Sequence, residues 1–257
     1  MGEIVKVGLA QIRSSVNKDE NNEQIIQMVK KAAGQKVDIL VFPEAAQISF
    51  EAALKDEAEP LDGPFATLIR SYAVKYDMMI VAGMFEPAND GRIRNKLIIT
   101  GKNTEATYQK VHLYDAFGSR ESDLVEAGND YLILDTVFGK IGFAICYDLR
   151  FAEQFTAMGR KGAKLIIVPA SWGDGPGKAE QWDLLVRARA ADSEAWLIAC
   201  DQAWQPPKGT APLGIGQSSI VDPTGSVRAR LASEADLLAF DIDLGKVEAI
   251  RALIPIL

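Results

Sequence analysis

The sequence predicts an α/β protein, built as a four-layer α-β-β-α sandwich of two mixed sheets with an internal pseudo-repeat. One observation behind this prediction is that short runs rich in β-branched residues alternate with amphipathic stretches along the chain. Another is that the same helix-then-strand pattern occurs twice. Strands that alternate with helices are typical of buried sheets with helices packed on their faces.

Nine apolar runs are predicted as strands, because each is short, rich in β-branched residues and set off from the helical stretches. In chain order they cover 4–12, 37–42, 78–85, 96–101, 140–146, 164–169, 195–202, 218–222 and 237–242, with a further strand-like segment at 106–109. Four other stretches repeat apolar residues at three- and four-residue steps, the spacing of one helix face. They predict helices over 21–33, 64–75, 152–161 and 178–195.

Two pairs of segments resemble each other and predict the internal repeat. Residues 34–44 are similar to residues 161–170, and each copy leads from a predicted helix into an apolar strand. Downstream, residues 79–83 have a counterpart in residues 196–200. The alternative is that buried α/β strands look alike without any repeat. No linker-like stretch separates the two halves, so residues 1–257 are predicted to form a single domain.

Composition argues against several classes of partner. The chain has 257 residues, with 28 Lys and Arg against 35 Asp and Glu, a formal net charge of −7. A nucleic-acid partner is not expected, because such binding needs a basic face. No apolar run reaches the roughly 18 residues that cross a membrane. Two cysteines without a CxxC motif and a single histidine indicate no disulfide framework and no His-rich metal site, and favour a cytoplasmic location.

Two residues at predicted strand ends are candidates for chemistry. Cys146 ends the strand 140–146 where a helix is expected to begin, and a helix N-terminus favours a thiolate. The alternative is a buried structural cysteine, which is our interpretation of Cys200 inside its own apolar strand. Glu44 follows Pro43 at the end of another apolar strand, at the sheet edge where α/β active sites gather. A carboxylate beside small apolar residues there suits a general base, and the alternative is a solvated loop residue.

Three motifs together resemble the nitrilase, or carbon-nitrogen hydrolase, superfamily. They are Phe-Pro-Glu at 42–44, Lys-Val-His-Leu-Tyr-Asp at 110–115 and Cys-Tyr-Asp-Leu-Arg-Phe at 146–151, in the order the family has them. The resemblance covers nearly the whole chain and implies the same doubled α-β-β-α fold as the repeat. Within the superfamily the chain looks most like amidases that act on deaminated glutathione, with ω-amidases as the nearest alternative. Ala152 stands where these relatives usually have proline.

The resemblance implies a Glu-Lys-Cys amidase that needs no metal or organic cofactor. Cys146 would attack the amide carbonyl, Glu44 would accept the thiol proton, and Lys110 would stabilise the oxyanion together with the backbone N–H of Tyr147. Glu121 matches a second family glutamate that orients Lys110 and the substrate. The products would be a carboxylic acid and an amine or ammonia.

Further residues near these motifs are candidates for substrate binding. Tyr147 adjoins the nucleophile, and Trp172 ends a strand beside a glycine-rich loop, where it lines the pocket or serves as a core or interface aromatic. Arg150 contacts a substrate carboxylate or pairs with Asp148. His112 is predicted to be structural, because in an extended segment it points away from the side on which Lys110 lies.

Assembly and a competing class of function complete the expectations. A homodimer or a larger homo-oligomer is expected, with Phe151, Phe155 and Met158 as candidate interface residues, the alternative being that they pack on their own sheet. The expected partner is a small-molecule amide substrate. Aliphatic amidases and N-carbamoyl hydrolases would share the same three catalytic residues. A catalytically silent scaffold that binds a metabolite is the alternative from another class.

Overall fold

Two six-stranded sheets form the centre of the molecule in a computed structural model, which describes residues 4–257. The first sheet has the strand order β12-β1-β2-β3-β4-β5 and the second β11-β10-β9-β8-β7-β6. The strands are β1 (Ile4–Gln11), β2 (Ile39–Val41), β3 (Met79–Pro87), β4 (Ile93–Gly101), β5 (Thr104–Gln109), β6 (Leu132–Thr136), β7 (Gly139–Phe143), β8 (Leu165–Ala170), β9 (Trp196–Asp201), β10 (Ser219–Val221), β11 (Val227–Arg230) and β12 (Asp236–Asp243).

Within residues 4–257, six α-helices accompany the sheets, and the four predicted helices are among them. They are α1 (Lys18–Gly34), α2 (Leu54–Glu57), α3 (Pro64–Tyr76), α4 (Ala152–Arg160), α5 (Lys178–Ser193) and α6 (Lys246–Leu253). Local signals explain where they begin. The Asn17 side chain accepts from the backbone N–H groups of Asp19 and Glu20 before α1, and Pro64 occupies the first turn of α3. Both arrangements satisfy or remove donors that a helix start leaves unpaired.

Elements that the sequence did not predict are short or lie at sheet edges. The edge strand β11 reads Val-Arg-Ala-Arg and is largely exposed, so it lacks the continuous apolar run of a buried strand. The strand β6, at the opposite edge of the second sheet, is also only partly buried. The helix α2 has a single turn, and α6 buries only Val247. Weak burial leaves weak periodicity in the sequence.

The two sheets share one pattern of strand directions, which is what the predicted repeat requires. From β12 to β5 the neighbours pair antiparallel, parallel, parallel, antiparallel and antiparallel. From β6 to β11 the succession is the same. The similar segments therefore occupy equivalent places, since β2 and β3 are the central strands of one sheet and β8 and β9 of the other.

Apolar side chains between the sheets hold the four layers together. Val41 and Val81 of the first sheet share one buried cluster with Ile167 and Ile198 of the second. The outer face of the first sheet packs against α1 and α3 in another cluster, and α4 and α5 cover the second sheet. The predicted α-β-β-α sandwich is confirmed.

Of the three proposed interface residues on and before α4, only Phe151 is exposed to a second chain. Phe155 and Met158 are fully buried within their own chain, against the second sheet. The expectation that they contact a partner is wrong, because the same apolar positions anchor the helix to its sheet. Phe151, which precedes the helix, is 37% exposed. Within residues 4–257, no helix has the length and apolar character needed to cross a bilayer.

Candidate active site

Strand ends from both sheets meet at one cavity of about 230 Å³. Glu44 follows β2 in the first sheet, while the loop after β7 brings Cys146 from the second. Lys110 directly follows β5, which runs parallel to β2 because two antiparallel pairings separate β5 from β3. All seven site residues predicted from the sequence line this cavity: Glu44, Lys110, Glu121, Cys146, Tyr147, Arg150 and Trp172.

Glu44 is held by hydrogen bonds on both carboxylate oxygens. Its Oε1 accepts from Lys110 Nζ at 2.9 Å and from Asn95 Nδ2 at 2.7 Å. Its Oε2 accepts from the backbone N–H of Ser171 at 2.9 Å. The side chain is only 1% exposed, so these donors replace the water that a carboxylate normally binds. The solvated-loop interpretation of Glu44 is therefore wrong.

Gly83 in β3 allows the backbone at Pro43 and Glu44 to approach that strand closely. A Cβ atom on Gly83 would lie 2.6 Å from the Cα of Glu44 and 2.6 Å from the carbonyl oxygen of Pro43. These atoms belong to backbone and cannot move aside cheaply, so β3 passes Glu44 at a distance that only glycine permits. Ala45, with a φ of 56°, completes the bend in the left-handed region.

Lys110 lies between two carboxylates in the interior. Its Nζ is 2.9 Å from Glu44 Oε1 and 2.9 Å from Glu121 Oε2, and its side chain is 2% exposed. Burial by itself would lower the pKa of this ammonium, but the charges of Glu121 and Glu44 outweigh burial and raise the pKa well above its ordinary value. Lys110 is therefore a fixed positive charge.

Asn95 is a site residue that the sequence analysis missed. It is fully buried near the start of β4, and its Nδ2 donates to Glu44 Oε1 at 2.7 Å and to Glu121 Oε1 at 3.1 Å. It therefore ties the two carboxylates together beside Lys110. A signal for it exists, because Ile93, Asn95 and Leu97 share one strand face and the polar residue interrupts an apolar series.

Cys146 sits on a strained turn that presents its side chain to the cavity. Its φ is 44°, a left-handed conformation that is rare for residues other than glycine and recurs at functional sites. It opens a 3₁₀ turn over Cys146–Arg150 and is 8% exposed. Its Sγ donates to the carbonyl oxygen of Ser171 at 3.7 Å. Since the N–H of Ser171 donates to Glu44, one residue contacts both the thiol and the carboxylate.

The resting thiol differs from the sequence expectation. Burial and the charge of Glu44 raise the pKa of Cys146 well above its ordinary value, and Lys110 opposes them only in part. The expected thiolate at a helix N-terminus is therefore wrong for the resting site. The helical segment is a short 3₁₀ turn, whose few aligned peptides give less field than a full helix.

A buried carboxylate fixes the turn that carries Cys146. Asp148 accepts from the Tyr108 hydroxyl at 2.7 Å and from the backbone N–H groups of His112 at 2.9 Å and Ile145 at 2.8 Å. With these donors, Asp148 does not pair with Arg150, so that alternative is wrong. The network anchors the turn that carries Cys146 to the end of the first sheet.

His112 has a structural role, as predicted. Its Nδ1 lies 2.8 Å from Asp148 Oδ1, and its ring stacks on Phe151 with centroids 3.6 Å apart. The His112 ring thus points toward Asp148, below the turn that carries Cys146. Lys110, two residues earlier, points into the cavity.

Aromatic rings surround Arg150 at the cavity wall. Its guanidinium carbon lies 5.1 Å from the centre of the Trp172 ring and 5.6 Å from that of Tyr147. Trp172 is 3% exposed, and its indole N–H donates to the carbonyl oxygen of Lys178 at 3.0 Å. Lys178 also lines the cavity, a position that the sequence analysis did not single out.

Comparison with known proteins identifies the family. The carbon-nitrogen hydrolase family profile matches residues 6–252. The chain belongs to this family. It is thus a carbon-nitrogen hydrolase, and the resemblance seen in the three motifs is confirmed.

Individual relatives cover almost the full chain. A Mycobacterium tuberculosis protein described only as a hydrolase is 40% identical over 98% of this chain and 94% of its own length. The deaminated glutathione amidase of Escherichia coli O157:H7 is 34% identical over 93% of this chain and 90% of its own. The crystal structure of Saccharomyces cerevisiae Nit3, a nitrilase-superfamily member, superposes with a TM-score of 0.86 at 25% identity, covering 98% of this chain and 95% of that one.

Proposed function

We propose that this carbon-nitrogen hydrolase is an amidase that hydrolyses a small carboxylate-bearing amide through a thioester on Cys146. The observation that carries the proposal is the contact of Ser171 with both Glu44 and the Cys146 thiol, beside the buried ammonium of Lys110. Nucleophile, base and cation thus line one small cavity, the arrangement that covalent amide hydrolysis requires.

In the first half of the reaction, Glu44 takes the thiol proton while Cys146 Sγ bonds to the amide carbonyl carbon. The carbonyl oxygen becomes an oxyanion, which the Lys110 ammonium and the backbone N–H of Tyr147 stabilise. One such donor contributes about 3–4 kcal/mol in the transition state. The C–N bond then breaks, and the leaving nitrogen receives the proton from Glu44. Ammonia or an amine departs and a thioester remains.

In the second half, a water molecule attacks the thioester carbonyl carbon and gives its proton to Glu44. The C–S bond breaks, the carboxylic acid leaves, and the proton returns to the Cys146 sulfur. Glu121 and Asn95 hold Lys110 and Glu44 in place through both halves, because Glu121 contacts Lys110 and Asn95 donates to both Glu44 and Glu121. The scheme uses no metal or organic cofactor.

The substrate class follows from Arg150 and from the named relative. Arg150 is a permanent cation in the cavity wall, which suits a substrate carboxylate. The relative from Escherichia coli is named for deaminated glutathione, and we propose a substrate of that kind for this protein. An ω-amidase acting on amides of α-keto acids is the second candidate, since it needs the same cation beside the same nucleophile.

Product release over a panel of amides tests the proposal. The panel contains deaminated glutathione, α-ketoglutaramate, simple aliphatic amides, carbamoyl amino acids and nitriles, with amine or ammonia measured for each. We expect the first two compounds to give the highest kcat/KM and Cys146→Ala to give none. Preferred turnover of nitriles or carbamoyl compounds would replace the proposed activity. Absence of turnover, with Cys146 labelled no faster than Cys200 at any pH at which the protein is folded, would favour the silent scaffold.

We also propose a homodimer in the cytoplasm. Phe151, 37% exposed beside the nucleophile turn, supports a contact near the site, and two free cysteines fit a reducing compartment. Size-exclusion chromatography with light scattering tests the assembly. A particle of 27.9 kDa at every concentration would contradict it.

A further inference from the structure

The cavity contains two cations that lack a carboxylate partner. The other two cations of the lining are paired, since Lys110 lies between Glu44 and Glu121 and Arg120 lies 3.6 Å from Asp123. Arg150 and Lys178 line the same cavity, yet among residues 4–257 no carboxylate oxygen lies within salt-bridge distance of either. Two cations of the wall therefore have no carboxylate in contact with them among the described residues.

Lys178 is a costly residue to place there without an anion. It is 8% exposed, its Nζ lies 3.4 Å from the centre of the Phe117 ring, and it donates to the Tyr114 hydroxyl at 3.3 Å. Burial and the neighbouring charge of Arg150 lower its pKa below the ordinary value. The ring and the hydroxyl offset only part of the cost of a buried ammonium next to a second cation, and a negative group beside it would stabilise it further.

Arg150 has an unused donor at the same place. Its Nη2 donates to Gln181 Oε1 at 2.6 Å, but its buried Nε has no hydrogen-bond partner among the described residues. Rings of Trp172 and Tyr147 lie 5.1 and 5.6 Å from the guanidinium and limit its movement. A guanidinium held in this way offers its remaining donors to a planar, negatively charged group.

We propose that Lys178 and Arg150 jointly bind one carboxylate of the substrate, and that Lys178 determines the preference for anionic over neutral amides. The inference rests on the proposed amidase function and adds a specificity-determining residue to it. Aromatic rings cover one side of each cation, and such partial removal from water strengthens the attraction between opposite charges. A carboxylate is the expected ligand because its two oxygens can accept hydrogen bonds from both cations. The rest of a small substrate then has room to place its amide beside Cys146 in the same cavity.

Kinetics on a matched pair of amides tests the role of Lys178. The pair is glutaramate and 5-methylhexanamide, which replaces the carboxylate by an isopropyl group of similar shape. Lys178→Met should lower kcat/KM for glutaramate by about 10- to 100-fold, mainly through KM, as expected for loss of a charged hydrogen bond. The value for 5-methylhexanamide should stay within about twofold, because that amide has no charge to bind.

Two further variants separate charge from structure. Lys178→Arg keeps the charge and should retain most of the preference for glutaramate. Lys75→Met is the matched control, because Lys75 also lies over aromatic rings, those of Tyr72 and Tyr76, but outside the cavity. The Lys75→Met variant should leave kcat/KM unchanged for both amides. Equal losses on both amides in Lys178→Met, or no loss on glutaramate, would overturn the proposal.

Binding without turnover distinguishes this proposal from the amidase itself. Calorimetry with glutarate and the Cys146→Ala protein should show one site, weakened at least tenfold when Lys178→Met is added. If this holds while the wild type hydrolyses no amide, the anion site stands and the proposed function fails. If amides are hydrolysed but glutarate binds equally with and without Lys178, the function stands and the anion site fails.

Discussion

The turn that carries Cys146 and the strand that carries Cys200 place the same side chain in two different settings. Both thiols are buried, and in both burial raises the pKa well above the ordinary value. Cys200 lies in the regular strand β9 and donates to the carbonyl oxygen of Val41 at 3.2 Å, across the gap between the sheets. Cys146 lies beyond its strand, in a left-handed conformation that faces a cavity.

The comparison shows that burial and a raised pKa do not by themselves mark a nucleophile. What separates the two cysteines is the set of groups that each thiol faces. Cys146 shares Ser171 with the Glu44 carboxylate, lines the same cavity as the Lys110 ammonium, and faces open space there. Cys200 faces only the packed interior. The difference between the two thiols therefore follows from their positions, one in a turn beyond a strand and the other inside a strand packed between the sheets.

The largest expected effect comes from removing the nucleophile. Cys146→Ala and Cys146→Ser should reduce kcat for amide hydrolysis by about 10⁴-fold or more, because no thioester can form at a useful rate. Thermal unfolding should stay cooperative, which shows that the fold is intact. Steady-state product release measures the effect. Turnover near the wild-type rate in Cys146→Ala would break the distinction between the two cysteines.

Removing the base should have the next largest effect. Glu44→Gln keeps the size of the side chain but cannot accept the thiol proton, so acylation should slow by about 10²- to 10⁴-fold with little change in substrate affinity. Rapid quench with mass spectrometry follows the acylated protein directly. His112→Ala is the control, since His112 contacts Asp148 and not the cavity. An equal loss of acylation in folded His112→Ala would favour histidine as the base.

Thiol labelling as a function of pH sharpens the same comparison. In the wild type, iodoacetamide should modify Cys146 faster as the pH rises above the usual thiol range, because its pKa is raised. Glu44 raises this pKa and Lys110 lowers it, so Glu44→Gln should shift the profile to lower pH and Lys110→Met to higher pH. Peptide mapping assigns the label, and Cys200, with no exposed surface, should react only on unfolding. Shifts of the opposite sign would contradict the assigned charges.

The smallest expected effect comes from the structural cysteine. Cys200→Ala should leave kcat and KM within about twofold and lower the free energy of unfolding by about 1–2 kcal/mol, through a lost hydrogen bond and a small cavity between the sheets. Urea denaturation followed by circular dichroism measures the change. A large loss of activity at unchanged stability would show that Cys200 also serves the reaction.

Much of the fold could be predicted because its signals are local. Buried strands such as β8 and β9 are continuous apolar runs, and α3 repeats its apolar residues at helical steps. The edge strands β6 and β11 and the helices α2 and α6 escaped prediction, since little of their surface is buried. The three site motifs each begin within a few residues of a strand end, so their place at the ends of strands could be predicted before the structure.

The sequence by itself determined the two sheets, their flanking helices and the three residues Glu44, Lys110 and Cys146 as candidates. Only the tertiary structure decided that Asn95 ties Glu44 to Glu121, and that the resting Cys146 has a raised pKa. These features depend on distances between groups far apart along the chain, such as the 51 positions from Glu44 to Asn95. Periodicity reports which face of an element is buried, whereas hydrogen bonding and desolvation depend on what packs against that face.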